Sequence, residues 1–306
     1  NKIPNNDLEE DVVNTKFDVS KNSNIKTNAK TLDDLLANVK ICDPAVGSGA
    51  FPVSLMNIII RLRLSLISFL DRKYKKYGMQ VVSKKDGHPV RAGEKSIRFE
   101  VRPGDCGFNE DWSDCDNDRE RHELTGRRMT GGEWWYAWSI FLPKNFTNVS
   151  PTKLALGQFH QKKGHVVWMF QNQGYTPGGY WVDNQVSGET IALDQIITQD
   201  EMIEKWNDIL VNVKWSKKED GFFKVWLNNK LVYDYKGPTK TKEETYFKFG
   251  IYRSYLRRWY EEVKYSVNEK WIKYKGKKIP TQIVYFDEIR AGKSREKVVG
   301  NLPPLQ

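Results

Sequence analysis

Three short clusters in this 306-residue chain carry side chains that could hold an acidic molecule and take a proton from it. They are Arg121-His122-Glu123-Leu124, Gln158-Phe159-His160 and Tyr246-Phe247-Lys248-Phe249-Gly250-Ile251-Tyr252. A guanidinium and an amide can neutralise a carboxylate, an imidazole can serve as base, and a phenol can serve as acid or base. Spacing decides whether they act together. Side chains at i, i+2 and i+4 of a strand share a face. Gln158 therefore sides with His160, Tyr246 and Lys248 side with Tyr252, and Arg121 sides with Glu123. The intervening Phe159, Phe247, Phe249 and Ile251 face the other way, into a core. Each residue also has a plain alternative: His160 as a hydrogen-bonded strand histidine, the tyrosines as half-buried β formers, Arg121 with Glu123 as a surface ion pair. Three rows that are polar on one face and apolar on the other favour a shared site. His122 alternates away from Arg121 and reads as structural, and His88 and His165 lack a comparable setting.

The elements that must position these rows are short strands. From about Gly78 onward, alternating stretches separated by turn residues predict strands at 96–102, 133–142, 153–161, 166–172, 209–215, 222–227, 230–235, 246–253 and 282–291. Asn228-Asn229 suits a tight hairpin turn, and a short helix is expected at 199–204. The class is all-β, a sandwich or jelly roll, because long amphipathic helices are missing from the connections. A different composition precedes it. All 11 tryptophans lie between Trp112 and Trp271, so a boundary is placed at residue 78, dividing a fragment at 1–78 from a β domain at 79–306. The fragment is expected to be mainly helical, with an amphipathic helix at 31–39, a short strand at 39–42, a glycine-rich turn at 43–51 and a helix at about 52–77.

Formal net charge is +10, from 49 Lys plus Arg against 39 Asp plus Glu, which suits a polyanionic partner without choosing one. Three cysteines exclude a disulfide scaffold. Cys106 and Cys115 would bridge in an exported protein, and a reduced pair is equally allowed. The chain opens without the apolar run of a signal peptide, and its most apolar stretch, 51–70, is interrupted by Arg61 and Arg63, so no membrane span is expected.

A uronic acid inside a polysaccharide poses the problem these rows could solve. Its C5 proton is weakly acidic and C4 carries the oxygen that must leave. Elimination needs the carboxylate neutralised, the proton removed and the leaving oxygen protonated. Arg121 and Gln158 fit the first task, His160 the second and Tyr252 the third, with Lys248 on the same face to lower the phenol's pKa or bind a neighbouring acid group. The three motifs resemble the Arg-x-Glu-Leu, Gln-x-His and Tyr-Phe-Lys-x-Gly-x-Tyr rows of jelly-roll alginate lyases. Residues 78–290 as a whole are similar to polysaccharide lyases related to heparin lyase I and glucuronan lyase. The likeness extends to Phe99-Glu100-Val101-Arg102-Pro103-Gly104-Asp105, Trp135-Tyr136-Ala137-Trp138-Ser139 and Asp220-Gly221-Phe222-Phe223-Lys224-Val225-Trp226.

The resemblance implies a concanavalin-like jelly roll that cleaves a uronic-acid polysaccharide such as glucuronan, alginate or a heparin-like chain by β-elimination. It implies Tyr252 as the catalytic phenol, His160 as base or stabiliser, and Gln158 and Arg121 on the carboxylate. It also implies a periplasmic or extracellular location, with the family's first strands and export signal expected before Gly78. Glu123, Lys248, Tyr246, Arg253 and Trp259 complete the expected substrate-binding set. Arg253 and Trp259 belong to a basic, aromatic segment at 253–278 that also holds Arg257, Arg258, Tyr260, Lys264, Trp271, Lys273 and Lys275, read as a lid beside the groove. No cofactor is required. Asp287 is a candidate for a structural calcium, as in related jelly rolls. The expected partner is an acidic polysaccharide, with neither nucleic acid nor membrane, and the expected state is a monomer.

Before the boundary, Asp43-Pro44-Ala45-Val46-Gly47-Ser48-Gly49-Ala50-Phe51 resembles the motif I turn with which adenine-specific DNA methyltransferases bind S-adenosylmethionine. The Asn/Asp-Pro-Pro-Tyr/Phe motif of those enzymes is absent from the sequence, and the fragment is read as nonfunctional. Two other readings stay open for the β domain: a noncatalytic carbohydrate-binding jelly roll, and a glycoside hydrolase, which needs two carboxylates flanking the bond.

Overall fold

The structure, a computed structural model, describes residue 24 and residues 28–37, 77–109, 112–172, 178–260 and 277–300. The expected strand at 39–42, the glycine-rich turn, the helix at 52–77 and the part of the basic segment at 261–276 lie outside them. The chain divides into two compact units, Asn1–Lys75 and Lys76–Gln306. In the first, the spacing of Leu32, Leu35 and Leu36 falls on helix α1 (Ala29–Ala37). No helix among the described residues is long and apolar enough to cross a membrane.

The second unit is built of antiparallel strands: β1 (Met79–Ser83), β2 (Lys95–Val101), β3 (Phe108–Asn109), β4 (Trp112–Ser113), β5 (Arg119–Met129), β6 (Gly132–Phe141), β7 (Lys153–Gln161) and β8 (Val166–Gln171). They continue as β9 (Tyr180–Asn184), β10 (Ala192–Ile197), β11 (Trp206–Trp215), β12 (Phe222–Leu227), β13 (Lys230–Lys236), β14 (Thr245–Ser254) and β15 (Gln282–Gly292). Three helices are short: α2 (Gln199–Met202), α3 (Arg257–Tyr260) and α4 (Arg295–Val299). A seven-stranded sheet has the order β1-β2-β15-β6-β11-β12-β13, and a six-stranded sheet the order β10-β9-β8-β7-β14-β5. Neighbours so distant in sequence make this a concanavalin-like jelly roll, two sheets facing one another across an apolar core.

Alternation builds that core. Phe159 of β7, Trp168 and Phe170 of β8, and Phe247, Phe249 and Ile251 of β14 meet Phe99, Trp138, Ile140, Val211, Val213, Phe223 and Phe286 of the other sheet, all buried. Trp168 stacks on Phe223 with ring centroids 4.0 Å apart and planes within 4°, and Phe159 lies 5.7 Å from Phe223, edge on. Large rings at opposed positions couple the sheets by area as well as by geometry. The sequence pattern left β1, β3, β4, β9 and β10 unmarked and gave β5 no range beyond its Arg121–Leu124 row: the first five are short, and β9 is buried on both faces, so alternation is missing. Asn228 and Asn229 turn with φ of 49° and 70°, the left-handed pair of a tight hairpin. Gly250 is required: its φ is 134°, and a Cβ there would come within 2.3 Å of the His122 carbonyl oxygen.

Asp287 does not fit the calcium role. Its Oδ2 accepts from the amides of Arg91 (2.9 Å) and Ala92 (3.3 Å), and its Oδ1 from the amide of Glu288 (2.8 Å). It is therefore a buried anchor for the loop entering β2. Among the described residues no group of three or more His, Cys, Asp or Glu is placed to hold a metal ion.

Burial pushes the Asp287 carboxyl up to about 6, against the pull of the Ala92 and Arg91 amides and the Arg91 and Arg290 charges. The folded chain thus keeps a proton that the unfolded chain releases near pH ~4. The stability associated with that proton is complete below pH ~4 and is lost as pH rises through the folded value, a change of about 3 kcal/mol. Denaturant midpoints should fall across this window in the native protein and change less in Asp287→Asn. Parallel pH profiles for the two proteins would refute the assignment.

Candidate active site

β14 lies between β7 and β5, and its register brings the three polar rows together. Tyr246 pairs with His160 and Arg128, Lys248 with Gln158 and Thr125, Gly250 with Glu123, and Tyr252 with Ala155 and Arg121. Bulges in both ladders re-aim the strands between these pairs. Gln158, His160, Lys248 and Tyr252 share the face turned away from Phe159, Phe247, Phe249 and Ile251.

Glu123 is at the centre of this face, with a side chain only 2% exposed. One carboxylate oxygen accepts from Gln158 Nε2 at 2.6 Å, and the other accepts from Lys248 Nζ at 2.6 Å and from Arg121 at 3.4 Å. Burial alone would raise its pKa. The charges of Lys248 and Arg121 and the bonds from Lys248 and Gln158 outweigh burial and hold it below the usual carboxylate range. Glu123, expected to bind substrate, is buried and accepts from three protein donors, which it fixes in place.

Arg121 is fixed from a second side. Its Nε and one terminal nitrogen both bond the two oxygens of Asp114, and its Cζ lies 4.4 Å from the centre of the Tyr252 ring. Burial opposes the charge of Arg121, but Asp114 and Glu123 more than restore it. The Tyr252 hydroxyl accepts from Arg119 Nε at 2.8 Å. Burial pushes the Tyr252 phenol up, against the charges of Arg121 and Arg119, so it is protonated at neutral pH. The expectation that Lys248 tunes this phenol is corrected: Lys248 Nζ is 6.0 Å from the ring centre and bonded to Glu123, and the two arginines do that work.

His160 donates from Nδ1 to the Gln161 carbonyl at 2.8 Å, which leaves the lone pair of the neutral ring on Nε2. The Tyr246 ring stacks on the imidazole, centroids 5.6 Å apart, with its hydroxyl 3.3 Å from Nδ1. Burial lowers the His160 pKa, aided by Lys248 and Arg121 and opposed by the Gln161 carbonyl and Glu123. The ring is therefore neutral at pH 7 and competent as a base.

Two expected site residues lie elsewhere. Arg253 is fully buried on the core side, bonded to Gln282 (2.9 Å), Glu120 (3.0 Å) and the carbonyls of Val101 (3.1 Å) and Pro280 (2.6 Å). Adjacent to Tyr252 in sequence, it necessarily points the other way. Trp259 of α3 is also buried, with Nε1 on the Lys277 carbonyl at 2.8 Å, and offers no open ring face for a sugar. His122 bonds Asp105 at 3.2 Å, as a structural residue should.

Two residues were missed. Arg119 precedes Arg121 by two positions, and the same alternation that pairs Arg121 with Glu123 would have found it. Asp114 had no local signal, because it arrives on a loop closed by the Cys106–Cys115 disulfide.

Glu123→Gln strips a carboxylate from an ammonium that is 11% exposed, at a cost of about 3–5 kcal/mol. Adding Lys248→Met should recover part of that loss. A double-mutant cycle followed by chemical denaturation reads the coupling, and strictly additive losses would show that the pair is not a unit.

No match is found among curated proteins. Among solved structures, the chain is similar to endo-β-1,4-glucuronan lyase from the fungus Trichoderma reesei, at 14% identity, TM-score 0.47, covering 74% of this chain and 92% of that one. It is also similar to the marine PL7 alginate lyase from Zobellia galactanivorans, at 13% identity, TM-score 0.42, with 65% and 78% covered. A third is the glycoside hydrolase family 131 catalytic domain from Coprinopsis cinerea, at 11% identity, TM-score 0.40, with 67% and 72% covered. The family model described as polysaccharide lyase matches residues 74–290, and the chain belongs to the polysaccharide lyase family.

Proposed function

We propose that this polysaccharide lyase cleaves a uronic-acid-containing chain by β-elimination, with His160 as base and Tyr252 as acid. One observation carries the reading: a neutral imidazole with an open Nε2 and a protonated phenol stand at opposite ends of a row whose middle is Gln158 and Lys248. Tyr246, beside His160, and Tyr252 lie six positions apart on the same face of β14.

The middle of the row suits a carboxylate. Lys248 and Arg121 each carry more N–H groups than Glu123 and Asp114 use and are partly exposed, so each keeps a donor for substrate, while buried Gln158 orients Glu123. Neutralising the uronate lets charge from C5 spread into the carboxylate. His160 Nε2 takes the C5 proton, the C4–oxygen bond breaks, and Tyr252 protonates the departing oxygen. Where the C5 hydrogen and leaving oxygen share a side of the ring, as in glucuronate or mannuronate, Tyr252 would have to perform both transfers. Where they lie on opposite sides, as in iduronate or guluronate, the roles divide between His160 and Tyr252.

A hydrolase is disfavoured because the two carboxylates nearest the row, Glu123 and Asp114, are both engaged by cations inside the protein. The Cys106–Cys115 bridge supports export into an oxidising compartment.

Incubation with glucuronan, alginate and heparin separately should raise ultraviolet absorbance with at least one polymer, from the unsaturated uronate that elimination creates. Tyr252→Phe should lower that rate at least about 100-fold while polymer binding persists. A folded protein that gives no rise with any polymer would overturn the reading.

A further inference from the structure

We propose that Arg119, which alone of the two arginines donates to the Tyr252 oxygen, adds to Arg121 in favouring ionisation of the phenol and takes up the negative charge left on that oxygen when the phenol gives away its proton. The inference rests on the elimination chemistry above and adds a residue outside the three motifs.

The argument is one of uncompensated charge. Arg121 faces the Tyr252 ring, but its charge is matched by the two oxygens of Asp114 and shared with Glu123. Lys248 is matched by Glu123. Arg119 has no carboxylate partner among the described residues. One terminal nitrogen bonds the Asn117 carbonyl, and its Cζ lies 5.7 Å from the Trp112 ring centre. Those contacts orient the guanidinium without neutralising it, and its Nε–H is aimed at the Tyr252 oxygen at 2.8 Å. On the β7 side, Tyr252 meets uncharged Ala155, and Lys153 beyond it is paired with Asp183 at 3.3 Å. Among the described residues, Arg119 is thus the cation at that oxygen with no carboxylate partner.

The geometry also directs the proton. With one lone pair of the phenol oxygen occupied by Arg119 Nε–H, the phenol's own hydrogen must point elsewhere. In turnover the C5–H electron pair becomes the C4–C5 double bond and its proton goes to His160 Nε2. The C4–oxygen pair leaves with the oxygen, which takes the Tyr252 proton. Phenolate and imidazolium remain, the phenolate against Arg119, and solvent resets both.

The test compares Arg119→Met and Arg119→Lys with the native chain. Arg119→Met should lower kcat about 100-fold, as removal of one oxyanion donor does, with KM little changed, and should move the alkaline limb of the kcat/KM profile to higher pH. Arg119→Lys should recover part of both effects. Phenolate absorbance titrations, differenced against Tyr252→Phe in each background, should show the Tyr252 midpoint rising in Arg119→Met without any substrate. An unmoved limb with an unmoved titration overturns the proposal. If the native chain releases no unsaturated product, the elimination reading falls, while the titration still decides what Arg119 does to Tyr252.

Discussion

A single buried carboxylate holds the site together. Glu123 draws donors from β5, β7 and β14 onto its two oxygens, and a carboxylate that deep is tolerable only because two cations and an amide reach it. The benefit is order. Lysine, arginine and glutamine side chains otherwise lose considerable rotamer freedom when bound; here that freedom is already lost before any ligand arrives. Lys248 and Arg121 are balanced by Glu123 and Asp114, so the hub itself is close to neutral.

The back of the same strands supports the front. Arg253 and Glu120 are paired across β14 and β5 on the core side, one residue away from Tyr252 and Arg121 on the groove side. Glu120 also accepts from the Gly104 amide at 2.6 Å, and Asp105 accepts from the Tyr77 hydroxyl at 2.7 Å. These contacts secure the segment leading into Cys106, and the bridge to Cys115 carries that restraint to Asp114. Asp114 then clamps Arg121. A buried ion pair that never faces the groove thereby helps determine where a groove-lining guanidinium stands.

Much of this was legible in the sequence, for a specific reason. In β14, Phe247, Phe249 and Ile251 alternate with Tyr246, Lys248 and Tyr252, so the two faces of this stretch can be assigned from the pleat, and β7 and β5 carry matching rows. The same rule sends Arg253 inward, away from its neighbour Tyr252, whereas the basic residues around Trp259 carry no sign of its burial. Strands β9 and β10 escaped because burial on both faces, or shortness, removes the alternation that marks a strand.

The sequence by itself determined the class of fold, the composition of each face and the residue types available for proton transfer, because those depend on local periodicity. Tertiary structure decided which groups are spent on one another. That Glu123 is a hub, that Asp114 pins Arg121, and that Arg119 reaches the Tyr252 oxygen all depend on contacts between segments or on side-chain direction across a bulged ladder. Charges close in space interact through distance and burial, and neither quantity is encoded by separation along the chain.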